Sequence, residues 1–180
     1  MTGGINIYTV DRAQGMPAYQ SAYYWVDVEG FDSPQGVKGR FMLTGLYGPD
    51  ARTVAALKTH FNLPIRNGTS RLDTMEGGGL RGVATLGGSD VLLAEIRRGP
   101  GPCQQAAVTL NYISSPRQGG KPTLGRFPVM GESCQAELGT LRITAPAGDP
   151  LGAFPIVKTT GATEFRNGIF AFPAPEPIRQ

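Results

Sequence analysis

The chain has 180 residues, enough for one domain with a single buried core, and its net charge of +3 is small and dispersed. Its basic residues form no stripe interleaved with aromatic residues, so we expect no nucleic-acid partner. No apolar run approaches the roughly 18 residues that span a bilayer, and the N-terminus lacks a signal-peptide pattern, so we expect a soluble cytoplasmic protein without membrane contact.

The first predicted elements are two strands that form a hairpin. Residues 23–28 and 40–47 are rich in aromatic and β-branched side chains, which favour strands. The segment between them contains proline, glycine and aspartate, which are typical of turns. Because the chain has 26 glycines and 15 prolines, we expect turns to be frequent and long helices to be few.

The one helix that the sequence predicts lies between residues 50 and 62. Asp50, or Pro49 before it, is positioned to begin this helix, and Asn62-Leu63-Pro64 to end it. Between these ends, apolar residues recur at the spacing of one helical face: Ala51, Val54, Leu57 and Phe61.

Short strand-like segments follow the helix to the end of the chain. They cover residues 69–74, 80–86, 91–97, 107–113, 127–130, 135–144 and 154–160. Gly77-Gly78-Gly79 indicates a hairpin turn between the first two of them. About nine strands and one principal helix predict a mainly β, α+β fold with an antiparallel sheet that is closed or nearly closed into a barrel.

The cysteine and histidine content argues against a metal centre. His60 is the only histidine, and Cys103 and Cys134 stand apart, so no spacing matches a zinc or iron site. No glycine-rich nucleotide-binding pattern follows a strand, so we expect no cofactor. Without a secretion signal the two cysteines are expected to be reduced thiols, although a disulfide between them stays open.

The segment from residue 48 to residue 68 ends in Pro64-Ile65-Arg66-Asn67-Gly68 and resembles the segment that carries the Schiff-base lysine in the acetoacetate decarboxylase family. That family has a Pro-Lys-Lys-x-Gly pattern here. In this chain Ile65 takes the position of the attacking lysine, and Arg66 that of its basic neighbour. Isoleucine forms no imine, and arginine stays protonated, so the imine chemistry of the family is not expected.

Several further motifs occur in the same order and at similar spacing as in that family, so the resemblance covers residues 37–169. Val37-Lys38-Gly39 resembles the strand before the lysine segment, residues 80–85 resemble the strand after it, and residues 149–157 resemble a late proline-leucine turn and strand. The resemblance implies one domain over residues 1–180, a β-barrel of the double-cone type, an interior pocket for a small oxo acid, and a homo-oligomer.

Three residues are candidates for catalysis. Arg66 offers a bidentate partner for a substrate carboxylate, and its alternative role is that of a solvated arginine beyond a helix. His60 carries an imidazole, the side chain whose ordinary pKa lies near neutrality, which suits proton transfer, or it serves the helix dipole. Asp27, the nearest carboxylate in a strand before residue 37, is a candidate base or a solvent-facing side chain.

Arg66, Trp25 and Glu95 are the candidates for substrate binding. Trp25 lines an apolar pocket in this interpretation or packs in a core or interface. Glu95 alternates with Val91 along its strand and would need a partner if it faced the interior. Lys158, in the strand predicted over residues 154–160, is the one lysine positioned to replace the missing amine, although lysines more often face solvent.

Two classes of function remain open. One is a decarboxylase-like enzyme, either a lyase or an isomerase or cyclase, that acts on a small or medium oxygenated, anionic metabolite. Its chemistry would be proton transfer without a Schiff base, such as dehydration, cyclisation, isomerisation or non-imine decarboxylation. The other is a non-catalytic small-molecule-binding or structural protein that retains the fold. A third alternative is an unrelated small β-barrel.

Overall fold

A computed structural model describes residues 2–15, 17–48, 50–114, 121–149, 152 and 158–178. Twelve strands and one helix lie within these residues: β1 Gly3–Val10, β2 Tyr19–Val28, β3 Gly39–Met42, β4 Leu46–Gly48, α1 Ala51–Phe61, β5 Ile65–Asn67, β6 Thr69–Thr74, β7 Leu80–Leu86, β8 Ser89–Arg98, β9 Gln104–Ser114, β10 Thr123–Ile143, β11 Ala162–Phe170 and β12 Glu176–Pro177. The predicted mainly β fold with one principal helix is confirmed.

One large sheet carries most of the strands. Its order is β1-β2-β3-β9-β10-β8-β7-β6, while β11 and β12 also pair with β10, and β4 and β5 form a separate parallel pair. Ladders in the large sheet are antiparallel except that between β3 and β9. The two ends of the order, β1 and β6, share no ladder among the described residues, so hydrogen bonds do not close the sheet. The predicted closed or nearly closed barrel is therefore not confirmed.

Strand β10 is the longest element, and it joins the two halves of the sheet. Its first half pairs with β9 and its second half with β8. At Ala136 it has Arg98 of β8 on one side and Ala162 of β11 on the other. The sequence predicted two separate strands here. Gly131 instead pairs with Ala106 of β9 without a break, so β10 continues through it, and the register shift against β11 comes from an extra residue in β11 at Asn167-Gly168.

Helix α1 begins and ends as the sequence predicted. The Asp50 carboxylate accepts hydrogen bonds of 2.7 Å from both the backbone N–H and the hydroxyl of Thr53. Asn62 adopts a left-handed conformation with φ of 49° after the last turn. Val54 and Leu57 are buried, which fixes the helix against the sheet.

The predicted hairpin at the glycine turn is also confirmed, because β6 and β7 pair as an antiparallel ladder on either side of it.

Several strands escaped prediction or were placed wrongly. Strand β1 has β-branched residues at alternate positions, Ile5, Ile7 and Thr9, a strand signal that the predicted elements omit. Strand β5 is only three residues long, and β11 contains Asn167-Gly168, a pair that indicates a turn. The strand predicted over residues 154–160 is only partly covered by the described residues. Its last three residues, from Lys158 onward, are exposed and belong to no strand.

Strand β2 is buried on both faces, and this separates two hydrophobic clusters. The helix-side cluster consists of Tyr23, Met42, Val54, Leu57, Leu63, Ile65, Tyr112 and Phe127. The sheet-side cluster consists of Ala22, Tyr24, Ala84, Val91 and Leu92. Successive residues of a strand point to opposite faces, so Tyr23 and Tyr24 enter different clusters.

Cys103 and Cys134 form a disulfide bond, and their Cα atoms are 4.2 Å apart. The register between β9 and β10 pairs Gln104 with Ser133, which brings the two cysteines side by side. The expectation of two reduced thiols is therefore wrong. The pairing depends on the register of strands that are distant in sequence, which a local pattern does not encode.

Candidate functional site

Ile65, which the sequence resemblance places at the position of the attacking lysine, lies in the interior. Its exposed fraction is 0%, and it packs in the helix-side cluster. Strand β5 holds it there because Ile65 pairs in parallel with Leu46 of β4, and Leu57 of the helix is buried in the same cluster. The hydrocarbon side chain therefore occupies the interior beneath α1.

Arg66 is held by a carboxylate of the chain itself. Its Nη1 lies 2.5 Å from Oδ2 of Asp149, and the side chains are 18% and 5% exposed. Because Arg66 follows Ile65 in β5, its side chain leaves the strand on the opposite face. The two residues that the sequence placed together in one pocket therefore point in different directions.

A different cation borders the helix-side cluster. The guanidinium of Arg40 lies 4.3 Å from the ring centroid of Trp25, a cation–π contact. Its Nη1 also donates a hydrogen bond of 3.1 Å to the Tyr112 hydroxyl. Strand pairing produces this contact, since Arg40 of β3 is the register partner of Tyr112 of β9.

Two tyrosines extend this contact into a chain of hydrogen bonds. The hydroxyls of Tyr112 and Tyr23 share a short hydrogen bond, and Asn6 Nδ2 donates to the Tyr23 hydroxyl at 3.1 Å. Burial raises the pKa of Tyr112 well above its usual range, more than the guanidinium of Arg40 lowers it. The Tyr112 phenol is therefore protonated at neutral pH and suited to donate a hydrogen bond. Arg40, Tyr112, Tyr23 and Asn6 form what we call the phenol chain.

Two further tyrosines lie on the same side of the sheet. The ring of Tyr8 makes edge-on contacts at 6.0 Å with both Tyr19 and Tyr23. Burial, reinforced by the neighbouring phenols, raises the pKa of Tyr8 well above its usual range. Further tyrosine side chains thus lie beside the phenol chain on this side of the sheet.

No lysine accompanies these groups. The four lysines of the chain, Lys38, Lys58, Lys121 and Lys158, are all described, and all are exposed. Lys38 pairs with Asp32 at 2.8 Å. Lysine side chains therefore supply no buried amine that could form an imine with a ligand in the interior.

The other predicted site residues are dispersed. His60 is exposed on α1, where it borders a shallow surface cleft together with Arg52. Glu95 lies 3.6 Å from Arg81 on β7. Asp27 accepts hydrogen bonds from Thr2 at 2.7 Å and from Trp25 Nε1 at 3.1 Å.

Of the predicted residues, only Trp25 and Asp27 adjoin the phenol chain. Asp27 is the register partner of Arg40, and Trp25 lies under its guanidinium. Arg40 and Tyr23 were not predicted as site residues. Alternation along the strand containing residues 40–47 is the one sequence signal for Arg40, because it places Arg40 on the same face as the buried Met42.

Acid–base and metal-binding side chains are sparse in this region. Within the described part of the chain, no three histidine, cysteine or carboxylate side chains gather into a metal-binding group. Nor does any helix among the described residues have the length and apolarity to cross a membrane. The site offers one guanidinium, several phenols and an amide, which bind oxygen-rich anionic molecules.

Comparison with known proteins identifies the fold. No family model and no curated protein matches the sequence. Among solved structures, acetoacetate decarboxylase from Legionella pneumophila subsp. pneumophila str. Philadelphia 1 is similar with a TM-score of 0.75 and 15% identity, covering 97% of this chain and 72% of that one. A second acetoacetate decarboxylase structure has a TM-score of 0.61 and 17% identity, covering 92% and 70% of the two chains.

The enduracididine biosynthesis enzyme MppR, solved with pyruvate, is also similar. The TM-score is 0.56 at 14% identity, over 90% of this chain and 65% of that one. The chain therefore has the acetoacetate decarboxylase-like fold, and the resemblance predicted from the sequence is confirmed at that level. At such low identity the likeness defines the fold and leaves the reaction to be argued from the site.

Proposed function

We propose that this protein is an acetoacetate decarboxylase-like enzyme that acts on a small or medium oxygenated, anionic metabolite without a lysine Schiff base. The observation that carries this proposal is the phenol chain beside the buried Ile65. The resemblance puts a hydrocarbon, Ile65, at the lysine position, and the cluster that contains it also contains Tyr112, which accepts a hydrogen bond from Arg40, and Tyr23. Asp27, the register partner of Arg40, is the candidate base that would take the proton from carbon. Together these groups suit proton-transfer chemistry, and no buried lysine accompanies them for imine chemistry.

In this proposal Arg40 receives the anionic group of the substrate. Its guanidinium is already oriented by Trp25 and Tyr112, so little rotational freedom is lost when a carboxylate binds. Arg66 is the weaker candidate, because Asp149 occupies its Nη1. The earlier assignments of His60 and Glu95 receive no support from their surface positions.

Tyr112 and Tyr23 would stabilise charge that develops on a substrate oxygen. A protonated phenol in a dry site donates a hydrogen bond to an enolate or alkoxide as the negative charge forms. Burial maintains that protonation state in Tyr112, since it raises the pKa of the phenol. Dehydration, cyclisation, isomerisation and non-imine decarboxylation each have a route through such an oxyanion, and those are the routes that these phenols would favour.

The first experiment follows proton exchange at carbon. Pyruvate is incubated with the protein in D2O, and loss of its methyl proton signal is followed by NMR, with acetoacetate as the second probe. We expect exchange above the buffer rate. It should fall by about 100-fold in Tyr112→Phe, the usual size of an acid–base contribution. Tyr24→Phe is the matched control, because Tyr24 lies in the other cluster.

Borohydride reduction tests the absence of an imine. Wild-type protein reduced with borohydride in the presence of pyruvate or acetoacetate should gain no mass. A stable adduct on any lysine would overturn the non-imine proposal, even if exchange were observed. No exchange and no binding of either probe would instead favour the second candidate.

The second candidate is a non-catalytic binding or structural protein that retains the fold. The observation in its favour is the complete burial of Ile65 within side chains of the chain itself, together with the mutual hydrogen bond of Tyr23 and Tyr112. A protein of this kind binds a ligand without turnover or binds none. Thermal shift with the two probes, run beside the exchange experiment, separates these outcomes.

A further inference from the structure

A second group of hydroxyls lies deep in the interior, next to the phenol chain. Tyr19 and Ser21 are 4% and 0% exposed. They alternate with Tyr23 along β2, so all three side chains leave the strand on the face of the helix-side cluster. Tyr8 of β1 is the register partner of Ser21, and its ring contacts that of Tyr19. We call Tyr8, Tyr19 and Ser21 the inner hydroxyl cluster.

The hydroxyls of Tyr19 and Ser21 are buried without being satisfied. Among the described residues, no donor or acceptor makes a hydrogen bond of normal distance and angle with either of them. The Tyr8 phenol is close enough to influence both, but it does not meet that geometry. A buried hydroxyl without a partner destabilises the folded protein, so such groups are normally satisfied by water or by a ligand.

An aromatic surface connects this cluster with the phenol chain. The ring of Tyr8 makes edge-on contacts at 6.0 Å with Tyr23 and with Phe170. Ser21 and Tyr23 are two residues apart on β2, so about 7 Å of strand separates the two polar regions. The ring carbons form an apolar surface, which suits the hydrocarbon part of a ligand that reaches both regions.

From these observations we infer that the inner hydroxyl cluster binds a second oxygen of the substrate, a hydroxyl or carbonyl remote from its anionic group. The inference rests on the proposed function, in which Arg40 receives the anionic group. It narrows the substrate class to an open-chain acid with a distal oxygen. Such a chain has about six carbons, because bonds of about 1.5 Å must span the roughly 7 Å between the two regions.

The two unpaired hydroxyls suit an oxygen of either kind. Burial raises the pKa of Tyr19 above its usual value, so the phenol keeps a proton to donate at neutral pH. The hydroxyl of Ser21 both donates and accepts hydrogen bonds. A ligand that ends in a methyl group leaves both hydroxyls unpaired in a site from which it excludes water, and a site of this kind discriminates strongly against it.

The test compares two acids of equal charge and similar length, 6-hydroxyhexanoate and hexanoate, by calorimetric titration. We expect the wild type to bind the hydroxy acid at least about 10-fold more tightly. In Tyr19→Phe and Ser21→Ala this ratio should fall to about one or below. Ser70→Ala is the matched control and should keep the ratio. Ser70 is also buried without a hydrogen bond among the described residues, but it pairs with Ala84 of the sheet-side cluster.

The melting temperature separates a binding role from a structural one. Tyr19→Phe and Ser21→Ala each remove an unpaired buried hydroxyl, so neither variant should melt below the wild type. Equal affinities of the wild type for the two acids would overturn the inference and leave the cluster to water. So would a ratio that neither variant changes, or a wild type that does not bind the hydroxy acid.

Failure of this inference is distinguishable from failure of the proposed function. Arg40→Met should weaken both acids and leave their ratio unchanged, so the ratio reports on the inner hydroxyl cluster alone. Pyruvate has no distal oxygen, and its proton exchange tests the proposed function separately. Exchange without a preference for the hydroxy acid would leave the proposed function standing. A preference without exchange would retain the second polar region and contradict the proposed catalysis.

Discussion

The guanidinium of Arg40 lies 3.1 Å from the hydroxyl of Tyr112, although 72 positions separate the two residues in the chain. This contact exists because β3 and β9 pair in parallel, the one parallel ladder of the large sheet within the described residues. It connects a permanent cation with a phenol that burial keeps protonated. The proposed chemistry depends on this pair more than on any other.

Removing the cation should weaken ligand binding without unfolding the protein. We expect Arg40→Met to raise the dissociation constant for pyruvate or acetoacetate by about 10- to 100-fold, the usual worth of a hydrogen bond to a charged group. Calorimetric titration measures this change. Arg142→Met is the control, because Arg142 is exposed on β10. Equal affinities of the two variants would remove Arg40 from the binding site.

Buried tyrosines predict a loss of stability at alkaline pH. Burial raises the pKa values of Tyr112 and Tyr8 above the usual value of about 10. Below that pH both phenols are protonated in the folded and unfolded states alike, so they give the free energy of unfolding no pH dependence. Above it the unfolded chain releases these protons while the folded chain keeps them. The free energy of unfolding therefore falls, by at most about 1.4 kcal/mol per pH unit for each phenol.

Urea unfolding followed from about pH 9 to pH 11.5 checks this slope. Tyr112→Phe should make the decline shallower than in the wild type. At neutral pH the same variant should lose about 1–2 kcal/mol of stability, since it removes the hydroxyl that bonds Tyr23 and Arg40. An identical alkaline slope in variant and wild type would mean that the Tyr112 phenol is accessible to water.

The parts of the fold that the sequence predicted well are those that local chemistry determines. The helix has its cap in Asp50 and its end in Asn62, both within one turn of the residues they serve. The β6–β7 hairpin has its turn in consecutive glycines, of which Gly77 and Gly78 adopt positive φ. Such signals need no information from distant segments.

The parts that escaped prediction depend on pairing between distant strands. The parallel register of Arg40 with Tyr112, and the register that joins Cys103 to Cys134, follow from sheet order. The chemistry of the side chain makes His60 a candidate, and the resemblance makes Arg66 one. Neither reason says where the side chain points, which strand alternation and helix exposure decide.

The Arg66–Asp149 ion pair predicts a structural effect for Arg66. Both side chains are mostly buried, so Arg66→Met should lower the free energy of unfolding by about 2–4 kcal/mol. Chemical denaturation measures the loss. If Arg66 serves only to pair with Asp149, the Michaelis constant of the folded variant for pyruvate in the exchange assay should stay within about twofold of the wild type. A large increase in that constant would restore Arg66 as a substrate ligand.

An amine placed at residue 65 tests whether this position faces the proposed site. In Ile65→Lys the new side chain would be buried, and burial lowers the pKa of a lysine towards the reactive neutral form. Reduction with borohydride in the presence of pyruvate should then trap the imine as a secondary amine and add the mass of one ligand less one oxygen atom, because imine formation releases water. Asn67→Lys, an exposed position on the same strand, should gain none. A folded Ile65→Lys variant that forms no adduct would mean that residue 65 does not face the carbonyl group of a bound ligand.

The disulfide predicts a redox-dependent stability. Cys103 and Cys134 are 31 positions apart, and a loop of that length stabilises the folded state by roughly 3–4 kcal/mol through restriction of the unfolded chain. We expect treatment with a reductant, or the double substitution Cys103→Ser and Cys134→Ser, to lower the free energy of unfolding by about that amount. Mass spectrometry after alkylation, with and without reduction, determines whether both thiols are blocked in the purified protein. If both cysteines are alkylated without reductant, the bond is absent.

The same measurement bears on the location of the protein in the cell, because disulfide bonds persist in oxidising compartments and are rare in the cytosol. Confirmation of the bond would therefore oppose the expected cytoplasmic location, whereas free thiols would support it.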